Sequence, residues 1–402
     1  MDKKIKVVNV VGARPNLMKI GPLIAEMKNF GDIEQILVHT GQHYDDNMSK
    51  VFFEDLDLPD PDIYLGVGSA PRDEQISRIV DRLIPVLSDY QPDLVVVVGD
   101  VNSTLAGALA ADRCRKSCNQ PHQIDKTDQI DEIDQTDQID QSDHFRKPYI
   151  AHIEAGLRSF DLSMPEEINR IETDRLADFL FTTEPSANDN LKREGIDPAK
   201  IYYVGNVMID SLVRYLDRAL INWKVLQAQM GDCDYLLVTL HRPCNVDEPC
   251  RLKIIISALT ELARDLLVIF PVHPRTRKSM INSGISVEAI SHSCPNLRFV
   301  EPMGYLDFLG LMYHSKLVLT DSGGIQEETT YLKIPCLTLR PNTERPITIE
   351  IGTNRLVDID QLVETARTII DGGRPGDTQI PPLWDGRTAE RIVEILRKAL
   401  LR

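Results

Sequence analysis

The chain has 402 residues, more than one ordinary hydrophobic core serves, and 42% of them are hydrophobic, so two globular domains are expected. Its formal net charge of −16 argues against a general nucleic-acid or anionic-membrane binder, which would need a basic face. Seven scattered cysteines complete no zinc spacing and read as reduced thiols of a cytoplasmic protein, and no stretch is long and apolar enough to span a bilayer.

Lys3 and Lys4 precede an apolar run from Ile5 to Val11 that imitates a short signal peptide. The break at Gly12-Ala13-Arg14-Pro15 makes it a first β-strand instead. Strands are expected at 6–11, 35–39, 94–98, 149–153, 179–182 and 201–204, with a helical window at 73–89. A second series follows at 235–240, 267–272, 297–300, 317–319 and 336–339, with helices at 251–264 and 324–332. Near-continuous Val/Ile/Leu strands separated by helices specify parallel sheets covered on both faces. The expected fold class is α/β, with two Rossmann-like, doubly wound domains facing a central cleft. The boundary is expected within 205–231, which divides a first domain, 1–205, from a second, 206–380. A last helix at about 388–400 belongs to a segment, 381–402, that either closes the second domain or crosses back to the first.

Residues 123–143 stand apart, with Asp at every third position from Asp125 to Asp143. A three-residue period suits neither helix nor strand. Residues 125–143 hold seven Asp and one Glu against one Lys, which is seven of the sixteen net negative charges. The tract reads as a disordered acidic insertion, and it lacks the glycines that turn a calcium loop.

Candidate chemistry sits where strands end, since ligands of open α/β sheets bind beyond the strands' carboxyl ends. The first strand runs into Gly12-Ala13-Arg14-Pro15-Asn16, followed by Lys19, a small-residue turn suited to an anion but not a GxGxxG dinucleotide fingerprint. Asp100 ends the third strand as a helix cap, a ligand, or an acid or base. The next strand ends in His152-Ile153-Glu154-Ala155-Gly156-Leu157-Arg158, and Pro165-Glu166-Glu167 opens a helix that carries Arg170. Carboxylates favour a helix N-terminus, but three acidic strand-end sites together point to proton transfer. The second series repeats the pattern with His241-Arg242-Pro243, His273-Pro274-Arg275, Thr320-Asp321-Ser322-Gly323-Gly324 and Thr343-Glu344-Arg345. Basic residues beside a Ser-Gly-Gly helix start make an anion pocket in an acidic protein, and Glu328, one turn later, suits ribose hydroxyls.

The stretches GARPNLMK, TGQH, VGD, HIEAGLRS, MPEEINR, FTTEPSANDNL, VGNVMID, TLHRPCNVD, PVHPRT, TDSGGIQEE and TERP run in order across nearly the whole chain. On these the chain resembles the non-hydrolysing UDP-N-acetylglucosamine 2-epimerases. The resemblance implies a GT-B type fold, a last helix crossing back to the first domain, and homodimers. It implies interconversion of UDP-N-acetylglucosamine and UDP-N-acetylmannosamine by elimination and re-addition of UDP through 2-acetamidoglucal, with no cofactor and no metal. It carries over Asp100, Glu154 and Glu166 as acid/base residues with His241 assisting. Arg14, His273 and Ser322, Gly323 and Gly324 are carried over to the diphosphate, Glu328 to the ribose, Phe308 to the uracil and Arg345 to the sugar or phosphates. Lys19, Arg158 and Arg170 complete the substrate-binding set, and Gln42 and His43 match a region that is allosteric in some bacterial members. The chain departs from the commonest pattern at Asn16 (often Glu), Leu240 (often Gly) and Pro243 (often Arg).

Three rival readings remain. One is an epimerase of a UDP-diacetamido uronic acid, favoured by an extra basic residue facing C6. Another is a glycosyltransferase of the same fold, and the third is a nucleotide-sugar sensor without catalysis, which would not need three clustered acids.

Overall fold

The computed structural model describes residues 4–42, 55–118, 147–372 and 377–401. The aspartate tract at 123–143 and His43 lie outside the described residues. The described strands form two sheets. In the first, β1 (Ile5–Val11), β2 (Ile33–His39), β3 (Ile63–Tyr64), β4 (Leu94–Val98), β5 (Tyr149–Ile153), β6 (Phe179–Thr182) and β7 (Ile201–Tyr203) lie in the order β3-β2-β1-β4-β5-β6-β7. In the second, β8 (Tyr235–Thr239), β9 (Leu267–Pro271), β10 (Leu297–Val300), β11 (Leu317–Thr320), β12 (Cys336–Thr338) and β13 (Asn354–Leu356) lie in the order β10-β9-β8-β11-β12-β13. Every pairing is parallel. The chain reverses direction across each sheet between β1 and β4 and again between β8 and β11. Such a reversal opens a crevice beyond the strand ends.

The alternation of strand side chains sorts the cores. Val8, Val10, Val95, Val97 and Ile150 bury one face of the first sheet beneath helices Arg72–Tyr90 and Asn102–Cys118. Val7, Val11, Val96 and Val98 join a second core with Leu17, Ile20, Leu212, Trp223, Tyr235 and Leu237. That core passes from one sheet to the other without a break. Each such side chain contributes about 1.5–3 kcal/mol when buried, so the two halves share a substantial part of their stability. The carrier is helix Val207–Met230, which packs on helices Arg14–Met27, Tyr305–His314, Gly323–Leu332 and Thr388–Leu400. The stretch expected to hold the domain boundary is therefore mostly one continuous helix. Leu236, Val238, Val268 and Phe270 bury the far face of the second sheet against helix Pro249–Leu262.

Helix Thr388–Leu400 returns to the first sheet's side. Asp210 caps it through the N–H groups of Thr388 and Ala389, at 3.1 and 2.7 Å. Arg397 pairs with Asp32 at 2.5 Å and lies over the Phe30 ring. Two edge strands, β3 and β13, were not anticipated, because two or three residues are too few to show an alternation. Other strand ends move by one or two residues from the expected positions.

Candidate active site

The loops after β1, β4 and β5 are built by buried polar contacts. Asn16 Oδ1 accepts from the N–H groups of Gly12 and Ala13, both at 3.1 Å, and its Nδ2 donates to the Val98 carbonyl at 2.8 Å. That pins the first loop to the end of β4. His152 is fully buried, with Nδ1 2.6 Å from Asp174 Oδ1 and Nε2 2.8 Å from the Gly99 carbonyl. The end of β5 is thereby tied to the loop that carries Asp100. Glu154 follows at φ 71°, an uncommon backbone for a residue with a side chain. Gly156 has φ 79°, and a Cβ there would lie 2.6 Å from the Ala187 carbonyl oxygen. This sharp turn leaves Glu154 buried, with Oε1 2.7 Å from Lys19 Nζ and 3.2 Å from Arg345 Nη2. Its Oε2 is buried and has no hydrogen-bond partner among the described residues.

Asp100 accepts a hydrogen bond from Arg170 Nη2. Burial favours its neutral acid, but the charges of Arg170, Lys19 and Arg345 outweigh this and hold it below the usual carboxylate range. Arg170 comes from helix Pro165–Leu176, as does Asn169, whose Nδ2 donates to the Asp100 carbonyl at 2.9 Å. Glu167, buried on the first turn of the same helix, accepts from Ser159 N–H and Oγ at 3.0 Å, Phe160 N–H at 2.9 Å and Arg170 Nη1 at 2.9 Å.

On the second sheet, Asp321 follows β11 and gathers the His241 loop. Its carboxylate accepts from the N–H groups of His241 and Arg242 and from Asn245 Nδ2, and lies 3.1 Å from His241 Nδ1. Burial would raise Asp321, but His241 and the Arg242 N–H outweigh it and hold the carboxyl low. The contact fixes the His241 ring while 39% of the side chain stays exposed, 5.5 Å from the ring of His273. Ser322 stands immediately before helix Gly323–Leu332 with no capping bond from its side chain, and the first N–H groups of the helix make a positive end. Glu328 on that helix is buried and accepts from Tyr305 O–H at 2.9 Å. Burial pushes Glu328 up to about 7, with the Tyr305 bond opposing.

The two sets of strand ends touch through Arg345. Besides Glu154, its Nη1 meets Glu344 Oε1 at 2.5 Å. Its Nε lies 2.8 Å from Glu327 Oε1, but off line for a hydrogen bond, so neither Glu327 oxygen has a hydrogen-bond partner among the described residues. Burial pushes Glu327 up to about 7, Arg345 opposing and Glu154 adding to the rise. Glu344 also meets Arg340 at 2.7 Å, and Arg170 and Arg242 at 3.7 and 3.8 Å. A Cβ at Gly323 would lie 2.5 Å from Arg345 Nη1 and 2.7 Å from Glu344 Oε1, so the Ser-Gly-Gly turn rests directly on this pair. Among the described residues no three His, Cys, Asp or Glu side chains form a metal-holding group. What the arrangement offers is proton transfer beside an anion site.

A family model described as UDP-N-acetylglucosamine 2-epimerase matches residues 25–116 and 144–397. The chain belongs to the UDP-N-acetylglucosamine 2-epimerase family. The gap between the matched segments contains the aspartate tract. A UDP-N-acetylglucosamine 2-epimerase of Methanocaldococcus jannaschii is 39% identical over 98% of this chain and 99% of its own. A UDP-2,3-diacetamido-2,3-dideoxy-D-glucuronate 2-epimerase of Pseudomonas aeruginosa is 38% identical over 98% of this chain and 100% of its own. The crystal structure of the M. jannaschii epimerase with UDP-GlcNAc and UDP matches at a TM-score of 0.83, covering 98% of this chain and 100% of that one. That likeness agrees with two Rossmann-like domains of GT-B type.

Within this epimerase fold, Lys19, Asp100, Glu154, Arg170 and Arg345 are brought into one ion network with the Ser322–Gly324 turn. His241 and His273 stand together beside Asp321, and Phe308 lies half-buried on helix Tyr305–His314 near Glu328's partner Tyr305. Other expected residues are not in the network. Arg158 is buried with its guanidinium held by Asp174 and Glu194, at 2.7 and 2.8 Å, so it braces the turn after β5 and has no free face for a substrate. Glu166 is exposed on the helix turn beside buried Glu167. Gln42 Oε1 is committed to Ser103 N–H and Oγ, at 3.0 and 2.7 Å. Arg14 opens helix Arg14–Met27, and its side chain is outside the described atoms. Sequence reasoning passed over Asp321, Glu327, Glu344, Arg242 and Tyr305 as individual residues. The first four stand inside quoted motifs, beside residues that were chosen. Tyr305 carries no local signal.

Proposed function

We propose that this chain interconverts UDP-N-acetylglucosamine and UDP-N-acetylmannosamine. A carboxylate takes the C2 proton, the C1–O bond breaks with its electron pair leaving on the UDP β-phosphate, and a C1–C2 double bond forms. Return of a proton to the other face of C2 and attack of the UDP oxygen on C1 give the epimer. The C2 proton has no adjacent carbonyl to acidify it, so the site must stabilise departing UDP while holding a base at C2. The observation that carries this reading is Glu154. Its Oε1 is anchored by Lys19 and Arg345, and its Oε2 is buried with no hydrogen-bond partner among the described residues. That fits a positioned acid/base. Asp100 supplies the second carboxylate of this set, Glu166 is a third candidate, and His241 assists. The Ser322–Gly324 helix start with His273 and Arg14 takes the diphosphate, Glu328 the ribose, and Phe308 the uracil. The same reading has a cytoplasmic homodimer feeding surface polysaccharide synthesis, and takes residues 1–205 and 206–380 as the two domains.

A second reading, 2-epimerisation of a UDP-diacetamido uronic acid, is favoured by the near-equal identity to the P. aeruginosa relative. Proton NMR in D₂O separates the two. Appearance of UDP-N-acetylmannosamine with loss of the H2 signal from UDP-N-acetylglucosamine supports the first. Turnover only of the diacetamido uronate replaces it, and turnover of neither overturns both.

A further inference from the structure

Glu344 is one carboxylate facing four guanidinium groups. Its Oε2 takes Arg340 Nη2 at 2.7 Å. Its Oε1 takes Arg345 Nη1 at 2.5 Å and lies 3.7 and 3.8 Å from Nη2 of Arg170 and of Arg242. Two of those arginines reach onward. Arg170 grips Asp100, and Arg345 grips Glu154. Glu344 itself follows β12 on the second sheet, whereas Asp100 and Glu154 follow β4 and β5 on the first. It touches neither, and no step of the reaction above uses it.

We infer that Glu344 is a positioning residue, which fixes Asp100 and Glu154 across the cleft by holding the two arginines that grip them. The inference rests on the epimerase reading. An arginine left without its own counter-charge swings toward whatever carboxylate is nearest, and a displacement of about 1 Å at a reacting group costs on the order of a hundredfold in rate. Glu344 has the burial such a hub needs, at 2% exposure, where its charge is poorly screened by water. Burial opposes its ionisation, but Arg345, Arg170, Arg340 and Arg242 together hold its carboxyl well below the usual range, so it is the charged form that bridges them.

The charges around the pair set the sign of the effect. Asp100 faces Arg170, Lys19 and Arg345, and the Glu344 charge works against their pull. Glu154 faces Lys19 and Arg345, Arg345 also faces Glu327, and Arg170 also faces Glu167. Removing the Glu344 charge leaves Arg170 and Arg345 to stabilise the ionised form of Asp100 more strongly. Asp100 then holds its proton less tightly, and the acidic limb of the rate profile moves to lower pH.

The test compares wild type, Glu344→Gln and Glu344→Asp in UDP-sugar epimerisation across pH, with UDP affinity measured alongside. The expected result for Glu344→Gln is a kcat lowered about a hundredfold, UDP affinity close to wild type and an acidic limb moved to lower pH, with the limb restored in charge-retaining Glu344→Asp. An unmoved limb, or equal losses of kcat and UDP affinity in both variants, overturns the inference. If Glu344→Gln does not fold, Arg340→Met decides. Removing that cation strengthens the field of Glu344, so the limb moves to higher pH, and an unmoved limb overturns the inference. Absence of turnover in wild type refutes the epimerase reading, whereas a normal wild type with unaffected variants refutes the role of Glu344 alone.

Discussion

Arg345 Nη2 lies 3.2 Å from Glu154 Oε1, joining residues 191 apart in sequence and rooted at the ends of different sheets. The contact means that the strand ends of the two halves meet directly. It also leaves Glu154 with two cations on one oxygen and no hydrogen-bond partner, among the described residues, on the other.

Glu154→Gln tests the acid/base assignment. The amide keeps the shape of the side chain but cannot accept the C2 proton. Turnover is expected to fall about a hundredfold or more with UDP affinity largely kept, as measured by NMR turnover and calorimetric titration. Equal loss of both would contradict the role. The melting temperature should also drop, because Lys19 and Arg345 lose a buried counter-charge.

Asp321→Asn asks whether His241 must be oriented. An amide oxygen at the Oδ2 position still accepts both backbone N–H bonds, but the side chain loses its charge beside His241 Nδ1. A misoriented assisting histidine forfeits part of a general acid/base contribution that is typically about a hundred- to ten-thousandfold. Steady-state kinetics should show that loss in kcat. A kcat equal to wild type would make Asp321 a loop brace only.

Glu328 gives a pH signature. Its carboxyl is pushed up to about 7 in the folded protein from an ordinary 4.5, so between these values the folded chain holds a proton that the unfolded chain releases. Stability therefore falls as pH rises through that window, and the loss is complete above about 7. Glu184 and Glu327, also raised to about 7, act in the same direction. Thermal melts from about pH 5 to about pH 7 should decline less steeply for Glu328→Gln than for wild type, because the substitution removes one of the raised carboxyls. Parallel slopes would refute the assignment.

Gly156→Ala tests the turn that delivers Glu154. The new Cβ would meet the Ala187 carbonyl at 2.6 Å in a backbone of positive φ. A destabilisation of about 1–3 kcal/mol is expected by chemical denaturation, together with a loss of turnover. A variant as stable as wild type would show that the turn can relax.

Much of the fold was legible because periodicity is a local record of burial. Runs such as Leu94–Val98 and the two series of strand and helix specified parallel sheets, and helix Thr388–Leu400 was bounded by its own pattern. The strand-end motifs likewise put Asp100, Glu154, His241 and Ser322 at the mouths of the sheets, since a strand's carboxyl end is a position that sequence fixes. What sequence could not supply was the pairing of charges. Arg158 and Arg170 look alike beside acidic motifs, yet one is enclosed by Asp174 and Glu194 and the other bridges Asp100 and Glu344. Of the adjacent pair Glu166 and Glu167, one is exposed and the other buried. A charged residue records only that it carries charge. Which partner it meets depends on how two sheets and a shared helix bring distant loops together, and only the tertiary structure decides that.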